Sequence, residues 1–154
     1  MDSHETSRGL AIVTGASSGI GLALAREFAE HGYDLVIAAE DAGINTAAIE
    51  LRNCGTDVTS VASDLSTYDG VEELCAHVDA LGRDIDAVAI NAGVGVNGPF
   101  VDTPLDEQLS LVELNVTGAV HLAHRMLPKL LARGEGGMLF TSSIAATMPA
   151  PYMS

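Results

Sequence analysis

The sequence predicts an α/β fold built on a doubly wound parallel sheet, and two observations lead to this prediction. Short apolar runs alternate along the chain with segments whose apolar residues recur at helical spacing, which is the pattern of βαβ crossovers. Aromatic residues make up only 4% of the chain and Trp is absent, so the core must consist of Ala, Val, Leu and Ile, which suits strands buried on both faces. Because no linker, internal repeat or low-complexity block interrupts the 154 residues, we expect a single domain over residues 1–154.

The first strand and helix are predicted within residues 10–32. Residues 10–13 form a short apolar run that predicts a buried strand. Residues 19–31 carry apolar side chains at helical spacing, and Gly32 follows them where helices commonly end in a left-handed residue. The apolar run at 35–39 predicts the second strand.

The same alternation continues through the middle of the chain. A helix is predicted over residues 44–54 and is closed by Gly55, and a weaker third strand follows at 58–62. The next helix is predicted over 67–81, because its apolar residues lie along one stripe, and a fourth strand over 85–90.

The last part of the chain predicts one long helix and a fifth strand. A glycine-rich loop at 91–104 leads into a helix over 105–132, which we expect Pro128 to bend. A fifth strand is predicted at 138–141, so the sheet is Rossmann-like with about five strands. The long helix carries apolar residues at Leu109, Val112, Val116, Val120, Ala123 and Leu127.

The charge of the chain argues against two classes of partner. The formal net charge is −14, with Lys129 as the one lysine and six arginines, so nucleic acid and anionic membrane surfaces would both be repelled. The N-terminus carries no apolar signal-peptide core, and no apolar run reaches the roughly 20 residues that a membrane span requires. We therefore expect a cytoplasmic protein.

Cysteine and histidine spacing predicts no metal site. Cys54 and Cys75 form neither a metal-binding spacing nor a disulfide framework, and we expect both as small core residues of helices. His121 and His124 share one face of the long helix, but no clear third ligand accompanies them.

Three glycines at the first strand-to-helix junction predict an anion-binding turn. Gly15, Gly19 and Gly21 permit a tight turn and a close approach of the backbone to a ligand. The start of the following helix offers unpaired N–H groups and a partial positive charge, which a pyrophosphate satisfies. Ser17 and Ser18 add hydroxyl donors. The alternative is that these glycines only form a turn.

Five motifs in order resemble those of the short-chain dehydrogenase/reductase (SDR) family. They are the Thr-Gly-x-x-x-Gly-x-Gly segment at 14–21, Asp-Leu at 64–65, Asn-Ala-Gly at 91–93, Asn115 in the long helix, and the serine pair at 142–143. The resemblance implies catalytic roles for Ser143 and Asn115, and cofactor binding by Gly15, Ser17, Ser18, Gly19, Ile20, Gly21, Asp64, Leu65, Asn91, Ala92 and Gly93.

Each motif also has a structural explanation. Asp64 could cap the helix that starts near residue 66 or 67, residues 91–93 could be an ordinary turn, and residues 142–143 could lie in a loop. Asn115 is harder to explain in this way, because a buried amide within an apolar stretch of helix must find hydrogen-bond partners.

The resemblance implies hydride transfer between a nicotinamide cofactor and a small alcohol or carbonyl substrate. In the family pattern a tyrosine acts as general acid or base, and a lysine four residues later lowers the pKa of that tyrosine. The tyrosine follows the catalytic serine by thirteen residues, which is position 156 here, whereas Tyr152 follows Ser143 by nine and the chain ends at Ser154. We therefore expect the 154-residue chain to be catalytically incomplete.

The resemblance also bears on the sheet and on partners. Family members continue with further strands, so we expect a C-terminally incomplete sheet with an apolar, aggregation-prone edge at 138–140. The full-length parent is expected to be a homodimer or homotetramer, assembled in part through the long helix. A non-catalytic dinucleotide-binding or interaction protein derived from the family is the alternative.

The residues after the second strand bear on the choice between NAD and NADP. Glu40 lies near the spacing at which an acidic residue binds the ribose 2′-hydroxyl of NAD, and Asp41 follows it. NADP-preferring family members place a basic residue there or beside the glycines, where this chain has Ser18. The family's usual acidic position aligns with Ala39, so both cofactors stay open, with NAD favoured.

Overall fold

The computed structural model describes residues 8–144 and 147, and it has the predicted α/β architecture. Five parallel strands form one sheet in the order β3-β2-β1-β4-β5, with helices between them. In chain order the elements are β1 (Leu10–Thr14), α1 (Gly19–Glu30), β2 (Asp34–Ala39), α2 (Gly43–Arg52), β3 (Val58–Ala62), α3 (Tyr68–Ala80), β4 (Ala87–Ile90), α4 (Leu105–Val112), a π-helical turn (Glu113–Gly118), α5 (Ala119–Arg133) and β5 (Gly137–Phe140).

The strand order reverses beside β1, and this reversal locates the candidate site. The chain builds outward from β1 to β3, then returns to place β4 on the other side of β1. Val13 pairs with Ile37 of β2 and with Ala89 of β4. In doubly wound sheets, ligands bind in the crevice at the carboxyl ends of the strands where the order reverses. Here that crevice lies beyond Thr14, between β1 and β4.

Both faces of the sheet are covered at β1 and β2, which explains the unbroken apolar runs of these two strands. Successive side chains of a strand point to opposite faces. Leu10 and Ile12 pack with residues of α3 and α5 in one core cluster, whereas Ala11 and Val13 pack with residues of α1 and α2 in the other. All five residues of β1 are buried.

A glycine with a left-handed backbone follows the end of both α1 and α2. Gly32 has φ +84° just after α1, as predicted. Helix α2 ends at Arg52, two residues earlier than predicted, because the chain turns before Gly55, which has φ +78°. Cys54 therefore lies exposed in this turn, and the prediction that it is a core residue was wrong, whereas Cys75 is buried in α3.

The predicted long helix is interrupted by a π-helical turn that the sequence did not predict, and the bend expected at Pro128 stays a prediction. Helix α5 continues through Pro128, and the departure from α-helical geometry is the π-helical turn Glu113–Gly118. The apolar residues that contact the sheet are Leu122, Met126 and Leu130. Most of the apolar residues noted from the sequence are instead exposed: Leu109, Val112, Val116, Val120 and Leu127.

Strand β5 lies at one edge of the sheet. Leu139 and Phe140 are 47% and 54% exposed, so apolar surface accompanies the strand edge, as expected from the sequence. Aggregation through this edge stays a prediction. Across the described residues, no helix combines the length and apolarity needed to cross a membrane.

Candidate active site

The glycine turn joins β1 to α1 with a close approach between its two ends. Gly15 and Gly19 have φ of +66° and +56°, a left-handed conformation that favours glycine. Gly21 allows the first turn of α1 to contact the end of β1, because a Cβ at position 21 would lie 2.1 Å from the carbonyl oxygen of Gly15. The spacing of these glycines therefore follows from backbone contact as well as from turn geometry.

The N-terminus of α1 lacks the side-chain groups that usually compensate its dipole. Ser18 precedes the helix in extended conformation, and its side chain accepts no capping hydrogen bond. The first turn of α1 contains no acidic residue, and Ser18, Gly19 and Ile20 are exposed. Unpaired N–H groups and the positive end of the helix dipole therefore face the crevice, and an anion there would satisfy both.

Thr14 connects the ends of β1 and β4. Its buried hydroxyl accepts hydrogen bonds from the backbone N–H groups of Asn91 and Ala92, at 2.9 and 3.0 Å. The Asn91 side chain donates from Nδ2 to the Thr14 carbonyl at 3.1 Å and accepts from Thr141 Oγ1 at 2.8 Å. The Asn-Ala-Gly segment thus ties the ends of β1, β4 and β5 together, which an ordinary turn does not require.

Asp64 shapes a loop beside the glycine turn. Its Oδ1 accepts hydrogen bonds from the N–H and hydroxyl of Ser66, at 2.9 and 2.6 Å. The residue that caps α3 is Thr67, whose Oγ1 accepts from the N–H of Gly70 at 3.0 Å. Asp64 therefore forms the turn before α3, and the residue that caps the helix is Thr67.

A cavity of about 220 Å³ lies between the glycine turn, the end of β2 and the loop that contains Asp64. Asp41 lies at its rim, where Ser17 Oγ donates to Oδ2 at 2.6 Å and the Gly43 N–H donates to Oδ1 at 2.8 Å. These hydrogen bonds lower the pKa of the Asp41 carboxyl below its ordinary value. Within the described part of the chain, neither Lys nor Arg lines this cavity.

A wider cleft of about 840 Å³ continues from the glycine turn towards β5. Asn115 and Ser143, the predicted catalytic residues, both line it. Asn115 accepts from the Val94 N–H at 2.9 Å and donates to the Val94 carbonyl at 2.8 Å. Its amide therefore uses both of its ends on the backbone of one residue, which supplies the partners that a half-buried asparagine needs.

The predicted site residues come together along these two adjoining spaces. Gly15, Ser18, Ala92 and Gly93 line both. The remaining predicted residues line one of the two: Ser17, Asp64 and Leu65 the smaller cavity, and Ile20, Gly21, Asn91, Asn115 and Ser143 the wider cleft. Gly19, the other predicted residue, begins α1 between them.

Sequence reasoning missed the role of the Thr14 hydroxyl and the contact between Ser17 and Asp41. A polar residue at the end of a fully apolar run was an available signal for Thr14. No sequence pattern links Ser17 to Asp41, because they are 24 residues apart and meet only through the folding of β2 beside β1. Tyr152, which follows Ser143 by nine residues and not by the family's thirteen, lies outside the described residues.

His121 of α5 contacts two side chains of the α3 region. His121 Nε2 lies 2.8 Å from Glu72 Oε1, and its ring stacks on Tyr68 with 4.6 Å between centroids. In the ranges that the structure describes, no three His, Cys, Asp or Glu side chains group as a metal site.

Comparison with known proteins identifies the family. The family model described as short chain dehydrogenase matches residues 9–154. The chain belongs to the short-chain dehydrogenase family. This SDR chain is 41% identical over 141 residues to 1-deoxy-11-beta-hydroxypentalenate dehydrogenase of Streptomyces arenae, a match that covers 88% of the chain and 50% of the relative. It therefore spans about half the length of that relative.

Solved structures of similar proteins have the same fold as this chain, and some contain NADPH while others contain NAD. L-sorbose reductase from Gluconobacter frateurii, complexed with NADPH and L-sorbose, has a TM-score of 0.89 at 35% identity, covering 96% of this chain and 57% of that one. An SDR protein from Burkholderia phymatum in complex with NAD has a TM-score of 0.88 at 30% identity, covering 95% and 53%. The predicted family and the Rossmann-like parallel sheet are thus confirmed.

Proposed function

We propose that this SDR chain binds a nicotinamide dinucleotide and contributes to hydride transfer between that cofactor and an alcohol or carbonyl substrate. One observation carries the proposal: the glycine turn with its uncompensated helix N-terminus opens into the same cleft as Asn115 and Ser143. The glycine turn and the side chains of Asn115 and Ser143 line one continuous space. A dinucleotide needs such a space, because its pyrophosphate would bind at the turn while its nicotinamide lies beside the substrate.

The residues of the two spaces suit the parts of such a cofactor. The N–H groups of Gly19 and Ile20 would hold the pyrophosphate, since no side chain caps them. The adenosine would occupy the smaller cavity against Asp64 and Leu65. Bound nicotinamide supplies or accepts the hydride. Gly15 lines both spaces and packs closely against the segment after β4, since a Cβ there would lie 2.9 Å from Ala92 Cα.

The polar residues of the cleft have different roles in this proposal. Ser143 would donate a hydrogen bond to the substrate oxygen and stabilise negative charge that develops there. Asn115 would act as a positioning residue, because its side chain holds the backbone of Val94 in the cleft wall through one donated and one accepted hydrogen bond. The proton relay that the family resemblance implies for Asn115 stays a prediction.

Titration with NADH tests the proposal directly. Because the chain has no Trp, the fluorescence of the reduced nicotinamide can be followed without interference from indole. We expect a saturable change and a rise in melting temperature with ligand concentration, since a ligand that binds only the folded state stabilises it. A folded protein that changes neither signal would contradict the proposal. Binding of NADH without turnover of an alcohol or carbonyl substrate would favour a non-catalytic dinucleotide-binding role.

The exposed apolar row on α4 and α5 supports the expected oligomer. Leu109 and Val112 of α4 are 51% and 47% exposed, and Val120 of α5 is 64% exposed. An exposed apolar row of this kind is typical of an interface. We propose that a second copy of the chain covers it.

Substitution in the row tests this interface. Val120→Glu is expected to convert the dimer or tetramer to a monomer in light scattering, because it would bury an unpaired charge. Ile49→Glu introduces the same charge at a 63% exposed position on α2 and should leave the oligomer intact. A monomeric wild-type protein at micromolar concentration would contradict the proposed interface.

A further inference from the structure

The wider cleft combines apolar side chains with uncharged polar ones. Among the described residues that line it, none is Asp, Glu, His, Lys or Arg. Its larger apolar side chains are those of Ile20, Val94, Leu111 and Val116, and its polar side chains carry only hydroxyl and amide groups. A charged group that entered this cleft would lose water without gaining an ion-pair partner, which costs free energy.

The stretches of sequence that supply this lining contain no basic residue. Neither Lys nor Arg occurs in any of the three, which are residues 9–25, 84–124 and 134–154. The loop after β4 and the first turn of α4 carry exposed acidic side chains instead, those of Asp102, Asp106 and Glu107. The charges closest in sequence to the cleft are therefore negative, and their summed field opposes the approach of an anion.

Three of the arginines lie at the opposite end of the sheet. Arg8, Arg83 and Arg133 line a cavity of about 470 Å³. Arg83 Nη1 lies 2.7 Å from Asp34 Oδ2, and Arg133 Nη1 lies 2.7 Å from Asp86 Oδ1. Asp34 begins β2 and Asp86 precedes β4, so these ion pairs lie at the amino ends of the strands, whereas the cleft lies at the carboxyl ends. Their positive charge is thus paired and remote from the cleft.

The proposed cofactor adds further negative charge to the cleft. Its pyrophosphate would bind at the glycine turn, which lines the same space. Backbone N–H groups and the dipole of α1 would stabilise that anion without a full opposite charge. A bound dinucleotide would therefore repel an anionic substrate, and no cation among the lining residues that the structure describes would offset the repulsion.

We propose that the substrate is an uncharged alcohol or carbonyl compound, and that the cleft disfavours carboxylates, phosphate esters and ammonium compounds. This inference rests on the proposed function, because it places the substrate in the wider cleft beside the nicotinamide. Apolar contacts with side chains such as Leu111 and Val116 supply affinity, and hydrogen bonds to the hydroxyl and amide groups of the cleft orient the reacting oxygen.

Three ring alcohols of similar size test the charge preference. They are 4-hydroxycyclohexanecarboxamide, which is uncharged, the corresponding carboxylate, and the 4-hydroxy-1,1-dimethylpiperidinium cation. An alcohol and NADH are both reduced and cannot exchange a hydride. The shift of the Val94 amide resonance in the NADH-saturated protein therefore gives dissociation constants that report binding alone. We expect the carboxamide to bind about tenfold more tightly than either charged alcohol.

A lysine in the cleft tests whether charge is the cause of this preference. Val116→Lys places a cation at a cleft-lining position that is 54% exposed, and we expect it to raise the affinity for the carboxylate by about tenfold. Ile49→Lys adds the same charge at a 63% exposed position on α2 and should leave the order of affinities unchanged.

The outcomes separate the substrate class from the proposed function. If the wild-type protein bound the carboxylate or the cation as tightly as the carboxamide, the inference would be overturned. A folded, NADH-binding Val116→Lys variant with wild-type affinities for all three alcohols would also overturn it. Saturation with NADH while none of the alcohols binds would contradict the inference and the substrate part of the proposed function together. A folded protein that does not bind NADH contradicts the proposed function itself.

Discussion

Gly21→Val is expected to weaken NADH binding by about 100-fold, because a side chain at this position must push the N-terminus of α1 away from β1. The nearest atom to a Cβ at position 21 is the Gly15 carbonyl oxygen at 2.1 Å, and Gly15 C and Asn91 Nδ2 both follow at 2.6 Å. The first two are backbone atoms and cannot move without changing the turn. The N–H groups at the start of α1 would then no longer converge on one phosphate position. Fluorescence titration of the variant with NADH measures the loss.

A second glycine provides the matched control for this variant. In Gly137→Ala, at the start of β5, the added Cβ has no atom within 4 Å. We expect this variant to bind NADH as the wild type does, and both variants should be compared below their melting temperatures. Wild-type affinity in a folded Gly21→Val protein would show that the turn is not where the dinucleotide binds.

Thr14→Val is expected to destabilise the fold by about 2–4 kcal/mol while keeping the shape of the side chain. The valine removes the oxygen that accepts from the N–H groups of Asn91 and Ala92, and Thr14 is fully buried. Two backbone donors would be left without their partner. Urea denaturation followed by circular dichroism gives the change in the free energy of unfolding.

Thr14→Ser distinguishes the contribution of the Thr14 hydroxyl to stability from that of its methyl group. Serine keeps the acceptor and loses one buried methyl, so we expect a loss of about 1 kcal/mol, well below that of the valine variant. If Thr14→Ser proved as destabilising as Thr14→Val, the methyl group and not the hydroxyl would account for the stability of this junction.

The fold was predictable from sequence wherever the physical cause is local. Apolar runs are enough to predict β1, β2 and β4, because a buried strand must be apolar whatever its neighbours are. Glycines with left-handed backbone, such as Gly32, marked helix ends for a similarly local reason. The glycine turn combines a characteristic spacing with a strand before it and a helix after it, which is why the sequence led to the prediction of an anion site there.

The features that escaped prediction depend on contacts between distant segments. Periodicity showed that the long helix is apolar, but it could not show that Leu122 and Met126 contact the sheet while Val120 faces outwards. The π-helical turn places Asn115 against Val94, and this contact has no signature in the sequence of either segment. The Ser17–Asp41 contact depends in the same way on how two neighbouring strands end.

The claim on which the account rests is that the glycine turn holds the pyrophosphate of a nicotinamide dinucleotide. Backbone amide resonances, recorded by NMR during a titration of the labelled protein with NADH, test it most directly. We expect large, saturable shifts at Gly15, Gly19 and Gly21, and much smaller ones at Gly137. A spectrum of a folded protein in which NADH leaves the resonances of the turn unmoved would contradict it.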